Sequence, residues 1–219
     1  MAERSTPLVV AFANLKGGVG KSTLAVNVAG TLSASWRVVL ADADPQGTAA
    51  AWGEAGGLPF EVVAAPLGVS GVAGWLAGIM ALPAQIVVLD LPPMLGEATS
   101  AALAICDLVV IPVSPSGADL RATNKAVEMI HTARELRGGQ PRALLVPSKV
   151  DRRTAAGAEI EAVLHGYGEP VGPIVAQRIA HSDAFTAGQW IGDYAPRSVA
   201  LSEIRALGAV VVRLLKQGE

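Results

Sequence analysis

The sequence predicts an α/β fold, a parallel twisted sheet flanked by helices on both faces, and three observations carry the prediction. Short apolar runs alternate with longer stretches of helical spacing from one end of the chain to the other, which is the signature of a βα repeat. The apolar runs are too continuous to have a wet face, as expected of strands covered on both sides by helices. The first run passes through a glycine-rich turn straight into a helical stretch, an arrangement suited to holding phosphate.

In chain order, strands are expected at Leu8 to Ala13, Arg37 to Ala41, Ile86 to Leu89, Leu108 to Val113 and Ala143 to Val146, with further candidates at Phe60 to Ala64 and Pro173 to Val175. Helical stretches lie between them at Lys21 to Ser33, Gly47 to Glu54, Val69 to Ala81, Gly96 to Ile105, Leu120 to Arg137, Ala155 to His165 and Ser198 to Lys216. The last puts Ile204, Leu207, Val211 and Leu214 on one face at steps of three and four, so it should pack on the sheet. Gly56-Gly57, Pro92-Pro93 and Gly138-Gly139 read as turns. With no internal repeat, low-complexity tract or linker, residues 1–219 read as a single domain.

Composition narrows the function classes. Hydrophobic residues make up 51% and charged residues 16%, against roughly 25% charged in an average soluble chain, which excludes a disordered chain. The net charge of −2 excludes a globally basic nucleic-acid coat, so any DNA contact must be local. Cys106, the one cysteine, can form no intrachain disulfide and cannot supply a zinc or iron–sulfur site by itself. The amino terminus lacks the basic-then-apolar order of a secretory signal, and no apolar run approaches the roughly 18 residues that span a bilayer. A cytoplasmic location is expected.

The glycine-rich turn reads Asn14-Leu15-Lys16-Gly17-Gly18-Val19-Gly20-Lys21-Ser22-Thr23. Successive backbone N–H groups there can point at a phosphate chain while the helix start adds its positive dipole end. In that setting Lys21 meets the β/γ-phosphates and Ser22 ligates Mg²⁺. The usual first glycine of such a loop is replaced by Leu15, and an extra lysine, Lys16, stands beside it. The second strand delivers Asp42-Ala43-Asp44-Pro45-Gln46-Gly47 at its carboxyl end, where open α/β sheets bind ligands. These carboxylates either face the site or cap the helix that Gly47 begins. Ile86 to Leu89 ends in Asp90, placed to hold Mg²⁺ through its water shell. The prolines Pro92 and Pro93 then force a loop. A later strand ends in Ser148-Lys149-Val150-Asp151, positioned to line a base pocket and only superficially similar to a guanine-reading N-K-x-D.

Lys16-Gly17-Gly18-Val19-Gly20-Lys21-Ser22-Thr23 resembles the deviant Walker A box of the ParA/MinD family of ATPases, and the chain is therefore expected to be a deviant-Walker P-loop NTPase. Asp42-Ala43-Asp44-Pro45-Gln46 resembles the family's switch I box and Asp90-Leu91-Pro92-Pro93 its switch II box, with Met94-Leu95-Gly96 as the segment that senses the γ-phosphate. Cys106 to Val113 and the segment from Ile174 to Tyr194 are similar to further family stretches. The resemblance implies ATP and Mg²⁺ as cofactors, Gly17, Gly18, Val19, Gly20, Lys21, Ser22 and Thr23 as the phosphate cradle, and Ser148 beside adenine. It implies Ser22, Asp42 and Asp90 at the metal, Asp44 as the residue that orients the attacking water, and Lys16 reaching across a dimer interface to the partner's nucleotide.

The resemblance is to the short type, without the amino-terminal DNA-reading extension of larger plasmid-partition ATPases. Such proteins form homodimers with ATP, bind DNA of the nucleoid without sequence preference, and are released when a cargo adaptor protein stimulates hydrolysis. Here the candidates for DNA contact are Arg178, Arg197 and Arg205, and a second basic run spans positions 121 to 153. At 4% aromatic residues, phosphate contact rather than base stacking is expected. Two other readings share the boxes. A membrane-positioning ATPase would carry a basic amphipathic tail, and the chain ends at Lys216-Gln217-Gly218-Glu219 just after the core-packing helix, so no membrane contact is expected. A metabolic ATP-dependent enzyme would need a second catalytic cluster; none is seen, and His131, His165 and His181 are expected to lie away from the phosphate-binding boxes.

Overall fold

Strand β1 (Leu8–Phe12) is buried at every position and divides its side chains between two cores, with Leu8, Val10 and Phe12 facing one and Val9 and Ala11 the other. The computed structural model describes residues 6–93 and 96–217. Strands β2 (Val38–Asp42), β4 (Ile86–Asp90) and β5 (Leu108–Val113) are likewise buried throughout, whereas β3 (Glu61–Ala64) at the sheet edge is half exposed. With β6 (Arg142–Val150) and β7 (Val175–Ala176) they form one seven-stranded sheet in the order β3-β2-β4-β1-β5-β6-β7, parallel in every ladder. The expected all-parallel sheet is present.

The chain moves across this sheet in two directions. From β1 it steps outward to β2 and β3 through α1 (Lys21–Leu32) and α2 (Thr48–Glu54). It then returns past β1 to β7 through α3 (Gly71–Met80), α4 (Glu97–Ile105), α5 (Gly117–Leu136) and α6 (Ala155–His165). Right-handed crossovers in opposite directions must use opposite faces, and the two cores divide that way: α1 and α2 contribute to one, α3 to α6 to the other. The loops leaving β1 and β4, which are neighbours, therefore turn to opposite faces and open a crevice at the carboxyl edge. After β7, α7 (Ile179–Thr186), α8 (Ile191–Tyr194) and α9 (Val199–Lys216) close over the α1 face. Ile204, Leu207, Val211 and Leu214 are all buried, as their spacing predicts. No described helix is long and apolar enough to cross a membrane.

Most boundaries lie within two residues of expectation, and the larger differences are three. Helix α5 begins at Gly117, three residues before Leu120, because Ser116 caps it by accepting a hydrogen bond from the Asp119 N–H at 3.2 Å. Strand β6 runs from Arg142 to Val150 through Pro147. Proline is tolerated there because Pro147 pairs at the last position of the β5 ladder, and the β7 ladder starts only at Ser148. Helices α7 and α8 were not expected as helices.

Gly30 in α1 lies under the Trp190 ring, where a Cβ would approach Cδ2 and Cε3 to 2.5 Å. Gly30→Ala gains roughly 1 kcal/mol of helix propensity but must displace a packed indole, and the 2.5 Å approach to two ring carbons puts the overpacking cost at the upper end of about 1–3 kcal/mol. Its Tm should fall by several degrees, at about 2–4 °C per kcal/mol for a chain of this size. Scanning calorimetry checks this, and an unchanged or higher Tm would contradict the packing.

Candidate nucleotide site

The loop between β1 and α1 is shaped by its glycines and tied down by polar side chains. Gly18 and Gly20 have φ of 80° and 95°, conformations that disfavour any residue with a Cβ. Asn14, buried at the end of β1, donates to the Pro112 carbonyl at 2.6 Å and accepts from the Lys16 N–H at 3.2 Å. Ser148, where the β6–β7 ladder starts, donates to the Val19 carbonyl at 2.9 Å. Helix α1 has no side-chain cap and no acidic residue in its first turn, so its free N–H groups and dipole face the loop uncompensated. Gly17, Gly18, Val19 and Gly20 turn into that helix, whose first turn carries Ser22 and Thr23.

The two loop lysines go to different places. Lys21 is buried, 6% exposed, with its Nζ 3.5 Å from the Lys16 carbonyl. Burial pulls its pKa down, against the opposing charges of Asp90 and Asp44. Lys16 instead extends to α5 of its own subunit, where its Nζ is 2.5 Å from Asp119 Oδ1. Asp119 was missed from the sequence, although Ser116-x-x-Asp119 has the spacing of a helix-start capping pattern.

Asp42 and Asp90 end neighbouring strands and are register partners. Asp42 accepts from the Ala50 N–H at 2.8 Å and from the Asp44 N–H at 3.1 Å. It therefore does cap α2, the alternative role considered for this pair. A carboxylate has about four lone-pair sites, so any metal role of Asp42 uses those that remain. Asp44 is only half-buried, its Oδ1 accepting from the Gln46 N–H at 3.0 Å. Asp90 is fully buried, and neither of its oxygens has a partner in good hydrogen-bond geometry among the described residues. Burial pushes its pKa up to about 7, aided by the charges of Asp42 and Asp44 and opposed by the Ser22 hydroxyl and Lys21. An orphaned carboxylate beside Ser22 fits a hydrated divalent cation. No cluster of three or more His, Cys, Asp or Glu able to hold a metal occurs among the described residues, so such a cation would complete its shell with water and phosphate oxygens, the habit of Mg²⁺. Of the segment expected to sense the γ-phosphate, Met94 and Leu95 lie outside the described residues.

An open cavity of about 990 Å³ adjoins the loop, lined among others by Gly20, Thr23, Ser148, Lys149, His181 and Phe185, a size at the upper end for small-molecule sites. Because the Ser148 hydroxyl donates to Val19, its contribution is to hold the loop. Lys149 has a left-handed φ of 53°, a strained conformation of the kind found at ligand sites. His181 corrects the sequence reading, since α7 brings it to the wall of this cavity. It is 8% exposed, both ring nitrogens lack partners among the described residues, and burial lowers its pKa.

Several of the basic residues are engaged internally. Arg178 forms a two-pronged pair with Glu203, at 2.6 and 3.0 Å, and is not free for phosphate while that pair holds. Arg134 pairs with Glu169, Arg137 donates to the Leu103 and Cys106 carbonyls, Arg142 to the Leu214 carbonyl, and Arg153 pairs with Asp151. Arg197 and Arg205 are exposed, as are Arg121, Lys125, Lys149 and Arg152.

A glycine loop at the first strand–helix junction, with buried carboxylates on the neighbouring strand ends, defines a phosphate-loop nucleotide-binding protein. Residues 10–190 match the CobQ/CobB/MinD/ParA nucleotide binding domain, and the chain belongs to that family. It is 36% identical over 210 residues to the maintenance of carboxysome distribution protein A of Gloeobacter kilaueensis, covering 90% of this chain and 91% of that protein. It is 31% identical over 243 residues to the chromosome-partitioning ATPase Soj of Thermus thermophilus, covering 95% and 96%. Its fold matches a putative plasmid partition protein from Borrelia burgdorferi bound to AMPPNP, with a TM-score of 0.77 at 15% identity over 94% of this chain and 99% of that one.

Proposed function

We propose that this chain is a ParA-type ATPase that dimerises on ATP, binds DNA without sequence preference, and positions or partitions a cargo through partner-stimulated hydrolysis. The observation that carries the reading is the divided pair of loop lysines: Lys21 turns into the loop, where it feels the charges of Asp90 and Asp44, and Lys16 points out of it. A cation outside its own loop suits a task on a neighbouring subunit. The similarity to carboxysome-distribution and chromosome-partitioning proteins over most of the chain supports the positioning role and makes a carboxysome or a chromosome the favoured cargo.

In this reading the α1 N–H groups and Lys21 hold the phosphates of ATP, and Lys149 and His181 line the adjoining space for the nucleoside. Ser22 and Asp90 would hold Mg²⁺, with Asp42 nearer its water shell. When bound, that ion neutralises charge on the β- and γ-phosphate oxygens. Asp44 orients the attacking water, for which its half-exposed place at the rim of the carboxyl edge is suited. Arg197 and Arg205 supply phosphate contacts to DNA from the α9 side, and the protein works in the cytoplasm on the nucleoid.

Asp44→Ala removes the water-orienting group but no phosphate ligand. It should bind ATP normally, turn over at least about a hundredfold more slowly, in the range for a lost general base, and accumulate as an ATP-bound dimer. Size exclusion with light scattering reads the dimer. Unchanged hydrolysis would remove Asp44 from the mechanism.

A further inference from the structure

Helix α2 follows directly on the segment of Asp42 and Asp44, yet with seven residues it is too short to hold itself. Both of its ends are tied to other elements. In its first turn the Ala50 N–H donates to Asp42 Oδ2 at 2.8 Å, and Asp42 Oδ1 accepts from the Asp44 N–H at 3.1 Å, so both carboxylates take their places from the helix. Toward its other end Trp52, 2% exposed, donates from Nε1 to the Gln189 carbonyl at 3.1 Å and meets the Phe185 ring edge-on, with centroids 5.0 Å apart. Gln189 belongs to the turn between α7 and α8, which also bridges to Gly57 beyond the end of α2. That turn is pinned in its place by Asn27, wholly buried in α1. Its Oδ1 accepts from the Ile191 N–H at 2.7 Å while its Nδ2 donates to the Thr23 carbonyl at 2.8 Å. Thr23 stands in the first turn of α1, directly after the phosphate loop. The contacts close a circuit from the start of α1 through Asn27, the α7–α8 turn, Trp52 and α2 back to Asp42 and Asp44.

We propose that Trp52 is a positioning residue that fixes Asp42 and Asp44 against α1 by way of α2, so that the rate of ATP hydrolysis, and not ATP affinity, depends on it. The proposal rests on the reading of Asp44 as the group that orients the attacking water, and adds to it the side chain that sets where Asp44 stands. The hydrogen bond of the Asp44 carboxylate is local, to the Gln46 N–H two residues along, and does not place it relative to α1. A catalytic group displaced by about 1 Å costs on the order of a hundredfold in rate. Lys21 and the first N–H groups of α1, in contrast, belong to α1 itself and keep their places if α2 shifts. Trp52 borders the cavity beside the loop but, so deeply buried, offers it almost no surface.

Trp52→Phe keeps an aromatic ring against Phe185 and loses the bond to Gln189, whereas Trp52→Leu loses both. With Mg²⁺-ATP and no partner protein, single-turnover hydrolysis should slow about 3- to 10-fold in the first and about 10- to 100-fold in the second, the scale of a misplaced catalytic group, while ATP affinity stays within about threefold of wild type. In an Asp44→Ala background neither substitution should slow hydrolysis further, because the group it places is gone; a purely structural role would add its full effect there. Should Trp52→Leu fail to fold, Trp52→Phe decides alone. Wild-type turnover in Trp52→Phe, an affinity loss as large as the rate loss, or an undiminished effect in the Asp44→Ala background overturns positioning by Trp52 while the ATPase reading stands. Unchanged hydrolysis in Asp44→Ala alone overturns the role of Asp44 on which the proposal rests.

Discussion

Lys21→Ala should weaken Mg²⁺-ATP binding by at least about a hundredfold, within the range for truncating one partner of a buried charge pair. Lys21 is the loop ammonium turned inward, since Lys16 is held by Asp119. Its bond to the Lys16 carbonyl is long, at 3.5 Å, so little internal interaction competes with a phosphate. With Lys21 truncated, the β/γ charge is left to backbone N–H groups and the α1 dipole. The loss also falls on Asp90, whose ionised form Lys21 favours. Lys21→Met separates charge from packing, because it keeps most of the buried stem, and it should lose affinity to a similar degree. Equilibrium binding of a fluorescent ATP analogue makes the measurement. Unchanged affinity with unchanged turnover would remove the loop from nucleotide binding.

Much of this molecule is legible in its sequence, because the elements around the site are short and contiguous. The buried strands announce themselves as unbroken apolar runs, and the loop, Asp42, Asp44 and Asp90 each sit at the end of one. What escaped was set by tertiary context. Helix α7 turns Ile179 and Phe185 outward, at 79% and 42% exposed, and His181 and Ala184 inward, so its polarity is the reverse of the usual signal. The start of α5 is Gly117-Ala118-Asp119, with no apolar step to mark it, and placing the helix at Leu120 left Asp119 outside the structured element. Beta strand β6 was cut short at Pro147, although the ladders it joins leave that position free of the need for an N–H.

Charge was the least legible property. Arg178 has the sequence context of a DNA contact and the geometry of an ion pair with Glu203. Arg134, Arg137, Arg142 and Arg153 swell the count of a basic run while binding carboxylates and carbonyls of their own subunit. Sequence shows the sign of a side chain but not its partner, and apart from the local Arg153–Asp151 pair most partners here lie far along the chain, Glu169 and Glu203 among them.

In the proposed function, ATP switches DNA affinity by joining two weak patches. On that proposal a single subunit would offer Arg197 and Arg205 on an otherwise slightly acidic chain, too few contacts for firm retention. A dimer makes the second patch an intramolecular contact, a gain of about 10²-fold or more when the geometry allows both to engage. Four arginines on phosphates would give a log–log salt slope of about −4 for duplex DNA. Filter binding to duplexes of unrelated sequence, with ATP, with ADP and without nucleotide, tests this most directly. Retention should appear with ATP alone, be indifferent to sequence and fall steeply with salt; equal retention in all three states, or retention in none, would contradict the account.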